Sequence, residues 1–323
     1  MNKNIQFIKG FLKGKYRGNL RVFLNKSAFV RGLFYKGSYA ASNSDYCYGI
    51  WMKHLKHLHL VNKPFPKAVL EMGCGNSLGV GLAALISGAD RFYGLERTQF
   101  WNHSTNLRVF DELVEMFKAR EVSVDIASTD NDEKIQTKSF PSDLLTDAHL
   151  ELALSSERLA RIRKEVENPF DSNNKFITSI IPWTSQDQVP KASVDLICSH
   201  TVLQHVMDIE MAYKSMAHWL REGGCLSHTI DFQCMNTSQY WNGQWTYDAK
   251  AWNLVTGGTD LINREPVSKH YELLNRNGFE ILYENAIITK SELAIDDLAE
   301  EFKWFSEKDL TTSGLYYLAT KTN

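Results

Sequence analysis

Ala68-Val69-Leu70-Glu71-Met72-Gly73-Cys74-Gly75-Asn76-Ser77-Leu78-Gly79 is the stretch on which the fold turns. Residues 68–72 form a short apolar run holding one acid, the pattern of a strand buried on both faces. Gly73 to Gly75 make a tight turn, and residues 77–86 predict a helix that Gly88 ends. A second strand follows over 91–95 and closes on Glu96. Strand, glycine turn, helix, strand is the start of a doubly wound α/β fold, in which ligands lie at the carboxyl ends of the strands.

Upstream, Ser44-Asp45 suits the cap of a helix over 46–60, with Ile50, Trp51, Leu55 and Leu58 on its buried side. Downstream, residues 101–170 break the rhythm, because the return to the next strand normally takes about 30 residues. Helical patterns over 107–120 and 150–166 flank a polar stretch, 128–139, and the whole reads as an insertion. Alternation then resumes. Strands are predicted over 176–181, 194–198, 225–230 and 279–283 and near 315–319, with helices over 208–220 and 267–277. The organisation is a basic arm and helix over 1–66, then one domain over 67–323 with a helical cap inserted at 101–170.

The 323 residues carry 36 basic and 38 acidic side chains, a net charge of −2. Residues 1–44 hold nine of the basic side chains and no acid, leaving 27 against 38 in the remainder. The acidic body argues against a nucleic-acid binder, while the arm, with Phe and Leu interleaved, suits an anionic surface or a protein contact. Five cysteines without a Cys-x-x-Cys pair suggest neither a disulfide framework nor a zinc ribbon, and fit a reducing cytosol. No apolar run approaches the ~20 residues that span a bilayer. His54, His57 and His59 have spacing that zinc accepts, but beside lysines they read as a solvated helix face, so no metal is assigned.

The glycines are spaced Glu71-x-Gly73-x-Gly75-x-x-x-Gly79. A dinucleotide fingerprint wants its third glycine where Leu78 stands. A carboxylate two residues before the first glycine instead favours a ligand with an ammonium or sulfonium group, and Glu96 is placed to accept hydrogen bonds from two ribose hydroxyls. A ribose, a cationic end and no pyrophosphate describe S-adenosylmethionine. A nicotinamide enzyme of the short-chain type would need Tyr-x-x-x-Lys on a helix after the fourth or fifth strand, and that spacing occurs only at Tyr317 and Lys321, near the chain end.

Three stretches, residues 68–79 with Glu96, residues 192–206 (Ala-Ser-Val-Asp-Leu-Ile-Cys-Ser-His-Thr-Val-Leu-Gln-His-Val) and residues 220–224 (Leu-Arg-Glu-Gly-Gly), together resemble the class I S-adenosylmethionine-dependent methyltransferases, of the type 11/12-like group. The resemblance implies a seven-stranded, mostly parallel Rossmann-like sheet with one antiparallel strand. It implies S-adenosyl-L-methionine as cofactor, with Glu71, Gly73, Cys74, Gly75, Gly79, Glu96 and Ser199 at its site. Trp183 falls where the family often has an acid near the adenine, and its ring can stack on the base instead.

Methyl transfer to a hydroxyl needs alignment and a base, and histidine titrates near ~6.5. His200 directly follows the fourth strand and His205 lies shortly after it; either can be the base, with Asp231 at the end of the fifth strand as orienter. His228, inside that strand, reads as structural. Tyr240, Trp241, Trp245, Tyr247 and Trp252 form either an acceptor cover or a small satellite core. No Asn-Pro-Pro-Tyr run follows the fourth strand, which argues against DNA base methylation. The resemblance points to O-methylation of a small hydroxylated acceptor such as a sugar of a surface polysaccharide or glycolipid, in a cytoplasmic protein that can sit peripherally at the inner membrane face. RNA or protein methylation with the arm as docking element, and a non-catalytic cofactor-binding protein, are the alternatives.

Overall fold

The computed structural model describes residues 39–122 and 140–322. All nine basic residues of the arm and the polar stretch 128–139 lie outside the described residues. In chain order the elements are α1 (Ser44–Leu60), β1 (Ala68–Met72), α2 (Gly79–Ile86), β2 (Arg91–Leu95), α3 (His103–Ala119), α4 (Asp147–Ala153), α5 (Ser156–Glu167), β3 (Ile177–Ile180) and β4 (Val194–His200). There follow α6 (Ile209–Trp219), β5 (Leu220–Asp231), α7 (Ala249–Thr256), α8 (Val267–Arg276), β6 (Phe279–Ile288), α9 (Glu307–Thr311) and β7 (Thr312–Lys321).

Helix α1 begins where Asn43 accepts the Asp45 N–H at 2.8 Å, so its cap lies one residue before the Ser44-Asp45 pair. Helix α3 begins on Asn102, which accepts the Thr105 N–H at 2.9 Å, and α6 on Asp208, which accepts the Met211 N–H at 2.9 Å.

The seven strands are ordered β3-β2-β1-β4-β5-β7-β6. Neighbours from β3 to β5 pair in parallel, and β7 runs antiparallel between β5 and β6. This is the seven-stranded, mostly parallel α/β sheet that the sequence predicts. The order reverses between β1 and β4, which opens a crevice at the carboxyl ends of those two strands.

Alternation along the strands builds two cores. Val69, Phe92, Ile177, Leu196 and Cys198 face α1, α2, α3 and α5, whereas Leu70, Tyr93, Ile180, Ile197 and Leu226 face α6 and α8. Each fully buried aliphatic side chain contributes about 1.5–3 kcal/mol, so these two layers hold the sheet between its helices.

The described chain between β2 and β3 packs in two places. Helix α3 packs directly on α1 and α2 and belongs to the first core, through Val109, Phe110 and Leu113. The second helical pattern is split into α4 and α5. His149 of α4 bonds the Ser87 carbonyl at 2.6 Å, and Arg158 of α5 donates to the carbonyls of Leu85 (2.8 Å) and Ala89 (2.6 Å). These groups satisfy the carbonyls that end α2, at the amino edge of the sheet. Helices α4 and α5 therefore sit at the amino edge, whereas the start of α3 lies beside the turn after β1, where Asn106 accepts the Leu78 N–H at 3.0 Å.

The histidines of α1 also correct the sequence reading. His54 and His57 are 1% and 0% exposed, and only His59 lies on a solvated face. His54 Nδ1 bonds Ser227 Oγ at 2.7 Å, the same hydroxyl bonds Tyr316 at 2.8 Å, and Lys53 donates to Thr229 at 3.1 Å. A polar seam of α1 thus docks on β5 and β7.

Candidate active site

The turn after β1 forms the floor of the crevice. Gly73 and Gly75 have φ of +76° and +66°, the left-handed region that a Cβ disfavours. At Gly73 a Cβ would also stand 2.5 Å from Val202, so the loop between β4 and α6 closes directly over it. Gly79 differs, because a Cβ there would overlap Cys47 Sγ. The missing side chain of Gly79 lets α2 approach α1. Cys74 is buried, with its thiol toward the Glu71 and Leu95 carbonyls at 3.9 Å.

Glu71 is 7% exposed, and its Oε2 has no hydrogen-bond partner. Burial pushes its carboxyl up to about 8. Glu96, at the end of β2, accepts the Gly75 N–H on Oε2 at 3.0 Å and the Arg97 N–H on Oε1 at 2.8 Å. An ionised carboxylate offers about four acceptor positions, so both oxygens keep capacity for ribose hydroxyls. Trp183 donates its backbone N–H to the Glu96 carbonyl at 3.0 Å. Its half-buried ring meets Trp219 edge-on at 5.7 Å, and its Nε1 is buried without a partner.

Ser199 is turned away from the expected role. Its hydroxyl bonds His228 Nδ1 at 2.7 Å inside the second core, so its backbone is what remains near the crevice. Burial pushes His228 down to about 3, which keeps the ring neutral.

The two histidine candidates lie in different surroundings. His200 ends β4 on the α1 face, edge-on to the Tyr46 ring at 5.9 Å. The sequence reading missed Tyr46. Its ring stands against His200 at the end of β4, and burial raises its hydroxyl from the ordinary value. After His200, Thr201 adopts φ +54°, an outlying conformation for a β-branched residue, and its N–H bonds the Thr229 carbonyl at 2.8 Å. His205 then sits exposed on a short 3-10 turn, with Nδ1 2.7 Å from the Leu261 carbonyl. A carbonyl only accepts, so Nδ1 carries the hydrogen and Nε2 of the neutral ring is the basic nitrogen. Asp231 ends β5 within electrostatic reach of His205. Burial raises its carboxyl from the ordinary value, and the Gln233 N–H at 2.9 Å and His205 draw it back.

The segment after β5 closes this edge. Asn263 bonds the backbone of Gln204 at 2.8 Å and, through its side chain, the carbonyls of Leu203 and Val206. Asp260 reaches Arg97, beyond Glu96, at 3.5 Å. The chain from 260 to 263 thus runs from the end of β2 to the loop after β4. Behind it, Tyr247 and Trp252 form a satellite core with Val255 and Ile262, and Trp245 donates to the Arg264 carbonyl at 2.8 Å. Tyr240 and Trp241 are half-buried, the latter donating to the Lys290 carbonyl at 3.2 Å. The aromatic segment is therefore a scaffold behind the closing chain.

These residues fit S-adenosylmethionine. The turn is bare of Cβ atoms where a ligand must approach, a buried carboxylate oxygen awaits a donor or cation, and Glu96 retains acceptor positions for a ribose. A protein-family model described as Methyltransferase domain matches residues 145–227, from the end of the insertion into β5. No curated protein sequence matches the chain. Similar solved structures include a geranyl diphosphate methyltransferase in complex with S-adenosylmethionine (11% identity, 85% of this chain and 85% of that chain, TM-score 0.43). An S-adenosylmethionine-dependent methyltransferase from Mesorhizobium loti (13%, 83% and 99%, TM-score 0.36) and the YcgJ protein from Bacillus subtilis (11%, 85% and 99%, TM-score 0.40) are similar too. The methyltransferase-domain match over residues 145–227, the strand order and the glycine turn together fit a Rossmann-like α/β methyltransferase fold. The domain match supports a methyltransferase enzyme, and the site residues suit S-adenosylmethionine as its cofactor.

Proposed function

We propose that the enzyme methylates a hydroxyl of a small acceptor, with His205 as base and Asp231 supporting the imidazolium that forms. The observation that carries this reading is the 2.7 Å bond from His205 Nδ1 to the Leu261 carbonyl, which leaves Nε2 as the basic nitrogen. Methyl transfer from a sulfonium is an in-line displacement, so the chain's tasks are to align the acceptor oxygen and to take its proton. Glu71, Gly73, Gly75, Glu96 and Trp183 hold the cofactor in this reading, and His200 with Tyr46 lines the α1 side of the acceptor space.

The acceptor class proposed first is a sugar of a surface polysaccharide or glycolipid. The described chain starts beside the cofactor turn: Ser77 Oγ donates to the Ala41 carbonyl, and Arg108 donates to the Ser42 carbonyl at 2.6 Å. The acid-free arm of residues 1–44 therefore joins the body at the crevice, which supports peripheral contact with an anionic membrane face. No helix among the described residues is long and apolar enough to cross a membrane. The test is methyl transfer from labelled S-adenosylmethionine to a panel of sugar nucleotides and vesicle-borne glycolipids, beside RNA and protein. Labelling confined to RNA or protein would overturn the sugar reading, and flotation with anionic liposomes unchanged by deleting residues 1–36 would remove the membrane part.

A further inference from the structure

We propose that Glu71 holds a proton in the cofactor-free enzyme and releases it to solvent when the cation of S-adenosylmethionine enters the crevice. The proposal rests on the cofactor assignment and adds a regulation of the same site by pH.

The geometry carries it. Glu71 lies inside the sheet at the end of β1, 7% exposed, with Oε2 bonded to nothing. Five weak acids among the described residues act on it or feel it. The turn supplies Cys74, the end of β2 supplies Glu96, β4 supplies Cys198 in direct register, and α1 supplies Tyr46 and Cys47. A cation of α3, Arg108, acts on Cys47 and is engaged by Glu112 at 2.7 Å. His200, on the same face at the end of β4, stands against Tyr46. No ion pair is formed by Glu71 with a described residue.

A carboxylate so enclosed is strongly disfavoured, because burial removes its hydration and nothing of opposite sign replaces it. The Cys74 thiol and the Gly81 backbone offset this only in part. A bound ligand with a fixed sulfonium or an ammonium supplies the missing counter-charge. The exchange is balanced: the O–H bond of Glu71 breaks, its proton goes to water, and the carboxylate pairs with the cation. Below the range where the free carboxyl titrates, each cofactor bound then expels on the order of one proton, and affinity rises up to about tenfold per pH unit.

The test is calorimetry of the full chain with S-adenosylmethionine near pH ~6.5, in buffers of differing ionisation enthalpy, for the wild type and Glu71→Gln. Release of about one proton by the wild type and close to none by the variant is expected. Repeating the titration with S-adenosylhomocysteine identifies the cation, since release with both ligands assigns the ammonium and release with S-adenosylmethionine alone the sulfonium. Tight binding without proton release, or equal release by Glu71→Gln, overturns the proposal and leaves the cofactor assignment standing. Failure of either ligand to bind would sink both. Should the variant not fold, infrared difference spectra of the wild type decide: a protonated-carboxyl band must disappear as cofactor is added.

Discussion

Glu96 Oε2 accepts the backbone N–H of Gly75 at 3.0 Å, which ties the glycine turn to the end of β2. Replacing Glu96 with Ala removes this tie and, in the proposed site, the ribose acceptors together. Hydrogen bonds to charged groups are worth about 1.5–3 kcal/mol, so S-adenosylmethionine affinity should fall about 10- to 100-fold. Calorimetry checks this, and affinity within a factor of two of wild type would mean that the ribose is bound elsewhere.

Gly79 and Gly73 should separate packing from binding. In Gly79→Ala the new Cβ overlaps Cys47 Sγ, and such overpacking costs about 1–3 kcal/mol. The melting temperature should drop and recover in the double variant with Cys47→Ala, while cofactor affinity of the folded protein holds. Gly73→Ala should behave oppositely, since its left-handed φ and the contact with Val202 lie at the crevice. There the main loss should be cofactor affinity, read by the same calorimetry.

His205→Asn should lower kcat by about 10²- to 10⁴-fold once an acceptor is identified, with S-adenosylmethionine affinity unchanged. Asp231→Asn should lower kcat less, because it removes only support for the imidazolium. If His200→Asn abolishes turnover while His205→Asn does not, the base is His200.

The stability of the cofactor-free enzyme should peak between two opposing limbs. Burial holds His228 and His270 down to about 3, and His54 is shifted in the same direction. The unfolded chain takes up these protons first, so their contribution is present above ~6.5 and is lost as pH falls toward the folded values. Glu71 works the other way. Its folded value of about 8 means that its contribution is present at acid pH and is lost as pH rises to that value. Chemical denaturation across pH should show a maximum near pH ~6–7, with slopes of about 1.4 kcal/mol per pH unit for each net proton. Glu71→Gln should flatten the alkaline limb and His228→Asn the acid one.

Much of the fold was legible because its signals are local. The buried run over 68–72, the glycines after it and the acid at 96 are confined to thirty residues, and the strands beyond show their own apolar runs. Even α1 carried a readable hint. His54 falls on the stripe of Ile50, Trp51, Leu55 and Leu58 at helical spacing, and that periodicity outranks the polarity of the residue.

Sequence alone thus determined the class of fold and pointed to the cofactor and to the turn proposed to meet it, because each follows from backbone constraints and chemistry within one strand–turn–helix unit. Tertiary structure decided the rest. The partners of His54 and Lys53 are Ser227 and Thr229, more than 170 residues away, so no local pattern could tell a buried polar seam from a solvated face. Shorter but still non-local separations hid the docking of α4 and α5 at the amino edge and the tautomer of His205, which Leu261 fixes from 56 residues further on. Hydrogen bonds between distant segments leave no periodic trace in either one, and only the folded chain brings their two halves together.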